Sequence, residues 1–136
     1  MNLVADANVL LAAVIGGRAR LVLDHPSVEE VFTTEPTFSE VEQYSAVLAK
    51  KKHLPIDVVL LAVAALPITI LNRSRYAGDL PEAARLIGHR DQDDIELLAL
   101  VLHLRVPLWS NDKDFEHVGI ELFTTERLLR RLAIIL

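Results

Sequence analysis

The sequence predicts an α/β protein, a three-layer α/β/α sandwich around a mostly parallel central sheet. Three observations lead there. Short apolar segments of strand length alternate with helical segments along the whole chain, the pattern of a parallel sheet covered on both faces. The 136 residues suit one domain, and no internal repeat, low-complexity tract or Gly/Ser-rich linker divides them, so residues 1–136 are expected to form a single fold. Finally, 51% of the residues are hydrophobic and 5% aromatic, which argues against disorder and for a core of Leu, Val, Ile and Ala.

Leu3-Val4-Ala5 reads as a short buried strand, and Asn8 to Ile15 as a helix that stops at Gly16-Gly17. A second short helix is expected from Arg18 to His25, then a strand at Glu30-Val31-Phe32-Thr33. Thr37-Phe38-Ser39-Glu40 opens a long helix towards Lys50-Lys51-Lys52, and Thr37 and Glu40 have capping-box spacing. Pro55 begins a helix ending before Pro67, with Leu60, Leu61 and Val63 as buried candidates, and Ile68-Thr69-Ile70-Leu71 is a strand. Asn72 to Arg90 is less regular, holding a loop and a short helix around Pro81 to Ile87. Asp91 to Leu104 has helical periodicity through Leu97, Leu98, Val101 and Leu102. Val106 to Ser110 and Gly119 to Phe123 give the last two strands, and Thr125 to Leu136 the last helix.

Fourteen basic against 19 acidic side chains leave a formal charge of −5, which weighs against broad coating of nucleic acid by bulk electrostatics. The absence of cysteine removes disulfides, thiolate nucleophiles and Cys-ligated metal sites. The first residues carry no basic segment and reach Asp6 before a signal-peptide apolar stretch could form, so a cytoplasmic location is expected. The longest apolar run, Val58 to Leu66, falls far short of the ~20 residues of a membrane-spanning helix.

In doubly wound folds ligands gather beyond the carboxyl ends of the strands, so polar residues at strand exits and helix starts are the ones that can converge. Asp6 stands at a strand exit, where it could equally be an N-cap. Glu40 lies near a helix start, where the dipole and a capping box would explain it. Asp91-Gln92-Asp93-Asp94 crowds three acids where capping needs one, and like charges held together call for a cation. Ser110-Asn111-Asp112-Lys113-Asp114-Phe115 follows the Leu108-Trp109 strand, although turn chemistry alone explains Asn111 and one aspartate. Asp6, Glu40, Asp94 and Asp112 together form an oxygen-ligand set suited to Mg²⁺ or Mn²⁺, with one or two ions serving phosphodiester chemistry.

These segments resemble a PIN domain, the fold of many small prokaryotic ribonucleases, including the VapC-type toxins of toxin–antitoxin pairs. The resemblance covers essentially the full chain. It runs through Leu3-Val4-Ala5-Asp6-Ala7-Asn8, Thr37-Phe38-Ser39-Glu40-Val41, Asp91-Gln92-Asp93-Asp94-Ile95 and Trp109-Ser110-Asn111-Asp112-Lys113-Asp114-Phe115. It implies Mg²⁺- or Mn²⁺-dependent hydrolysis of RNA phosphodiester bonds. Asp6 and Asp94 would be the main ligands and Asp112 a further one, while Glu40 would hold or deprotonate the attacking water. Asn8 and Ser110 match the family's accompanying small polar residues and would orient the ligands. Asp91 and Asp93 compete with Asp94 for the third acidic position, and the spacing to Leu98 and Ala99 favours Asp94. Asp114 could supplement Asp112, which the spacing to Phe115 favours. The resemblance further implies a homodimer and an antitoxin as protein partners.

Lys113, inside the site loop, is the preferred phosphate-binding residue among Arg18, Arg20, Lys50 to Lys52, Arg73, Arg75, Arg85 and Arg90. The five histidines show no metal-ligand spacing, and Trp109 reads as core. The apolar last helix, with Leu128, Leu129, Leu132, Ile134, Ile135 and Leu136, is expected to cover the sheet or to form part of a dimer interface. Two other readings within phosphate chemistry are a haloacid-dehalogenase-type phosphatase and a phosphoacceptor receiver. Asn8 replaces the second aspartate of the former, and Ala5-Asp6-Ala7 lacks the paired acids of the latter. The alternative from another class is a non-catalytic RNA-binding or protein-interaction module with a structural metal ion.

Overall fold

Each strand sends alternate side chains into one of two cores, and that alternation organises the molecule. The computed structural model describes residues 1–88 and 91–134. Along the chain it contains β1 (Asn2–Ala5), α1 (Ala7–Val14), α2 (Arg18–Leu23), β2 (Glu30–Thr34), α3 (Glu35–Lys51), α4 (Ile56–Ala64), β3 (Thr69–Leu71), α5 (Leu80–Ile87), α6 (Gln92–Leu104), β4 (Leu108–Trp109), β5 (Leu122–Phe123) and α7 (Thr125–Arg131). Single turns of 3-10 helix at Arg73–Arg75, Ala77–Asp79 and Lys113–Phe115 connect them. The fold class read from the sequence is the one observed: five parallel strands between two helical layers.

The strand order is β3-β2-β1-β4-β5. Leu3, Ala5, Val31, Trp109 and Phe123 point into a core covered by α1, α2, α3, α4 and α7. Val4, Leu108, Phe32 and Leu122 point to the opposite face, against α5 and α6. The chain winds outward through β2 and β3, then returns past β1 to place β4 and β5 on its other side. The join between β1 and β4 is therefore the topological switch point, where doubly wound sheets open a crevice at the carboxyl ends of their strands. No helix among the described residues is long and apolar enough to cross a membrane.

Several elements differ from the sequence reading for local reasons. The N-cap of α3 is Thr34, whose Oγ1 accepts from the Thr37 amide at 3.1 Å, so Thr37 is not the cap and Glu40 is not its box partner. Of the buried candidates on α4, Val63 is buried, but Leu60 is 45% and Leu61 70% exposed. The strands expected over Val106–Ser110 and Gly119–Phe123 pair only at Leu108–Trp109 and Leu122–Phe123. Pro107 has no amide hydrogen to donate, and Gly119 takes a positive φ of 79° that breaks extended backbone. The last helix stops at Arg131, with Ala133 at a φ of 54°, and Leu128 and Leu129 bury against the sheet. His89, Arg90, Ile135 and Leu136 lie outside the described residues.

Candidate active site

Parallel pairing aligns Ala5 with Trp109, so the residues that leave β1 and β4 meet directly. Asp6 caps α1, its Oδ1 accepting from the Val9 amide at 3.0 Å. Its Oδ2 accepts from the hydroxyl of the fully buried Ser110. The same hydroxyl oxygen accepts from the Asp112 amide at 3.0 Å, and Asp112 caps the turn Lys113–Phe115 through the Asp114 amide at 2.9 Å. Buried Phe115 anchors that turn against the second core. On the other side of β1, the Thr33 hydroxyl donates to the Ala5 carbonyl at 2.9 Å and holds the strand end in place.

The acids of the helices arrive from above. Asp91 caps α6 by accepting from the Asp93 amide at 2.8 Å, which leaves Asp93 and Asp94 in the first turn for another role. Because α3 begins at Glu35, Glu40 stands beyond its first turn, where no capping duty explains it. Asp6, Asn8, Glu40, Asp93, Asp94 and Asp112 all line one cleft of about 60 Å³, whose wall Ala7, Thr37, Leu97 and Phe115 complete.

The sequence model of the PIN domain family matches residues 4–133. The chain belongs to the PIN domain family. No curated protein matches it. Solved structures with the same fold include a toxin–antitoxin complex from Klebsiella pneumoniae, 21% identical, with a TM-score of 0.66 over 90% of this chain and 97% of that one. VapBC2 from Rickettsia felis, bound to a DNA fragment from its promoter, is 14% identical, with a TM-score of 0.66 over 91% and 98% of the two chains. VapC20 from Mycobacterium tuberculosis, described as a toxin that cleaves the sarcin–ricin loop, is 17% identical, with a TM-score of 0.57 over 87% and 95%.

Crowding of like charge leaves its mark on the acids of this PIN domain. Burial raises the Asp6 pKa above the usual carboxylate range, opposed by the hydrogen bonds from Ser110 and Val9 and reinforced by Asp112 and Asp94. Glu40 is pushed up to about 7, first by burial, then by a hydrogen bond with Asp93 and by the charges of Asp93, Asp91 and Asp94. Two carboxyl groups can share that bond only when one carries a proton. A divalent cation in the cleft would relieve the same strain. The donors are all oxygen, the preference of Mg²⁺ and Mn²⁺. Among the described residues no three Asp, Glu or His side chains are arranged to hold an ion unaided. The all-oxygen lining of the cleft would suit a small hard cation that keeps several of its waters.

Of the residues singled out from sequence, Asp6, Asn8, Glu40, Asp94 and Asp112 line the cleft. Ser110 lies behind Asp6, while Asp91 serves as a cap and Asp114 is exposed on the turn. Lys113 is exposed as the first residue of that turn. Asp93 lines the cleft beside Asp94, so that the choice between them is not exclusive. Thr37, read as a cap, is a wall residue, and the true cap at Thr34 was the available signal. Trp109 is fully buried, with its Nε1 donating to Thr125 Oγ1 at 3.0 Å.

Proposed function

We propose that this PIN domain is a Mg²⁺- or Mn²⁺-dependent endoribonuclease, acting as the toxin of a toxin–antitoxin pair. The observation that carries the reading is the convergence of five carboxylates and Asn8 on one small cleft at the switch point. Asp6, Asp94 and Asp112 would hold the ion, directly or through water. A bound divalent ion would supply Lewis acidity to water and to a phosphoryl oxygen.

The chain's own residues do the rest. Ser110 and the Val9 amide fix both oxygens of Asp6, and each oxygen keeps a second lone pair for the cleft. Ser110 links the Asp6 carboxylate to the Asp112 backbone amide, which brings the two acids to one side of the cleft. Glu40, which lines the cleft beside its hydrogen-bonding neighbour Asp93, is placed to take a proton from the attacking water and pass it on. Lys113, beside Asp112, would meet the phosphate backbone.

An antitoxin and a second copy of the chain are the protein partners this reading entails. Tyr44, Val47, Val58 and Leu61 on α3 and α4 leave an apolar surface that a protein partner would cover. Beside the acidic cleft, Leu11, Tyr44, Val47 and Leu48 line a groove of about 370 Å³ that also borders Glu40.

The decisive experiment incubates the purified chain with labelled RNA in Mg²⁺, in Mn²⁺ and in chelator. Cleavage is expected only with the ions, and Asp6→Asn or Asp94→Asn should lower it by about 100-fold or more while the protein stays folded. Undiminished cleavage in chelator would contradict the metal role. Ion-dependent stability with no cleavage would point instead to a module that carries a structural ion.

A further inference from the structure

Apart from Asp6, Glu96 is the only buried acidic side chain among the described residues. It projects from α6 into the second core, where Oε1 accepts from the hydroxyl of fully buried Tyr76 at 2.9 Å and pairs with Arg73 Nε at 3.6 Å. A lone carboxylate there would be costly, and an apolar side chain of similar size would pack without that cost. The ion pair itself adds little stability, since the Arg73 side chain is 62% exposed. The Tyr76 hydroxyl, whose pKa burial and then Glu96 raise, stays a proton donor to that carboxylate.

What the arrangement achieves is position. Arg73 opens the turn at the carboxyl end of β3, and the pairing of Thr34 with Leu71 sets that turn beside the start of α3. On α6, Glu96 follows Asp93 by three residues, a spacing that brings Cβ atoms within about 5–6 Å on one helix face. Glu96, the acid that Arg73 pairs with, thus stands about one helical turn along α6 from the cleft residue Asp93. The tether uses Nε, and the terminal amino groups form the fork that suits phosphate oxygens. Other paired arginines differ: Arg85 and Arg130 each meet an exposed acid on their own helix, Glu82 and Glu126, and Arg20 meets the exposed Asp24 that follows its helix.

We infer that Arg73 is a substrate-positioning residue that binds the RNA phosphate next to the one in the cleft, with Glu96 and Tyr76 holding it there. The inference rests on the ribonuclease reading above. A cleft ringed by acids repels a polyanion, and an ion at its centre answers only for the phosphate being cleaved. A guanidinium paired with the acid one turn along α6 answers for the next.

The test uses the full chain and a labelled single-stranded RNA of random sequence. Binding is measured in the Asp6→Asn background, which keeps the RNA intact, over a range of salt concentrations. Arg73→Ala should weaken binding about tenfold, the loss of one charge-assisted hydrogen bond. It should also lower the slope of log affinity against log salt by about 0.7, the share of one phosphate contact on a single strand. Arg73→Lys should keep the slope. In the cleaving protein Arg73→Ala should raise KM and leave kcat nearly unchanged, and Glu96→Gln, which still accepts from Tyr76, should raise KM less. If the parent binds and cleaves RNA while Arg73→Ala matches its affinity and slope, the inference is overturned and the ribonuclease reading stands. If Glu96→Gln behaves as the parent while Arg73→Ala does not, the tether is overturned. A parent that neither binds nor cleaves RNA overturns the ribonuclease reading and this inference with it.

Discussion

Asp6 shows how two readings of one residue can both hold. A strand exit followed by an apolar helix marks an N-cap, and it equally marks a ligand position; the carboxylate caps with Oδ1 and meets Ser110 with Oδ2. That position was legible because strand end and helix start are both local signals. Ser110 as its partner was not, since the contact spans 104 positions of chain and depends on the pairing of β1 with β4. Glu40 was legible by type, but for the wrong local reason, because Thr34 rather than Thr37 caps the helix. Its chemistry makes a pH prediction. The Glu40 pKa rises from 4.5 to about 7 on folding, so the folded, metal-free protein binds this proton more tightly than the unfolded chain does. The associated stability is complete below about pH 4.5 and is lost as pH rises through about 7, and Asp6 shifts in the same direction. Thermal unfolding in chelator should therefore show Tm falling between about pH 5 and about pH 8, with Glu40→Gln flattening the fall. A parent Tm that climbs across that window would refute the assigned burial of negative charge.

Among the elements, α3 is the one whose exact start matters most. Thr34 ends β2, caps α3 and donates its hydroxyl to Thr37 Oγ1 at 2.9 Å, so one residue sets the angle at which Glu40 enters the cleft. Thr34→Ala should cost about 1 kcal/mol of stability, while Thr34→Ser should restore most of it. Chemical denaturation of the two variants checks this, and equal midpoints would exclude the capping role. The helix itself was readable from its periodicity. Its first residue was not, because Thr34 and Thr37 are both acceptable caps, and only the end of the β2 ladder at Thr34 decides between them. Similarly, Val106 to Ser110 reads as a strand, yet pairing is confined to Leu108 and Trp109, because Pro107 cannot donate to a ladder. The exposure of Leu61 on α4 was equally hidden, since beyond Asp57 in its first turn that helix is wholly apolar and offers no polar stripe to orient it.

For the whole molecule, the charge balance reads differently once the acids have places. With Asp6, Glu40, Asp93, Asp94 and Asp112 set apart in the cleft, the remainder is 14 basic to 14 acidic side chains, so the excess negative charge is local. Divalent ions should therefore stabilise the protein in a way that monovalent salt at equal ionic strength does not. At a concentration about 100 times Kd the gain is about 2.7 kcal/mol, seen as a higher Tm, and Asp94→Asn should abolish most of it. Equal shifts with Mg²⁺ and Na⁺ would mean general screening rather than a site. The fold class needed no structure, because strands separated by helices along most of the chain leave few alternatives. The convergence of the acids did need one, being a property of strand order. That order, with β4 inserted beside β1, also sets a schedule for synthesis. A ribosome must deliver Ser110 and Asp112 before Asp6 has its partner, so a nascent chain carries four of the five cleft acids and still lacks the assembled cleft. The cleft therefore takes shape only once β4 has been added beside β1.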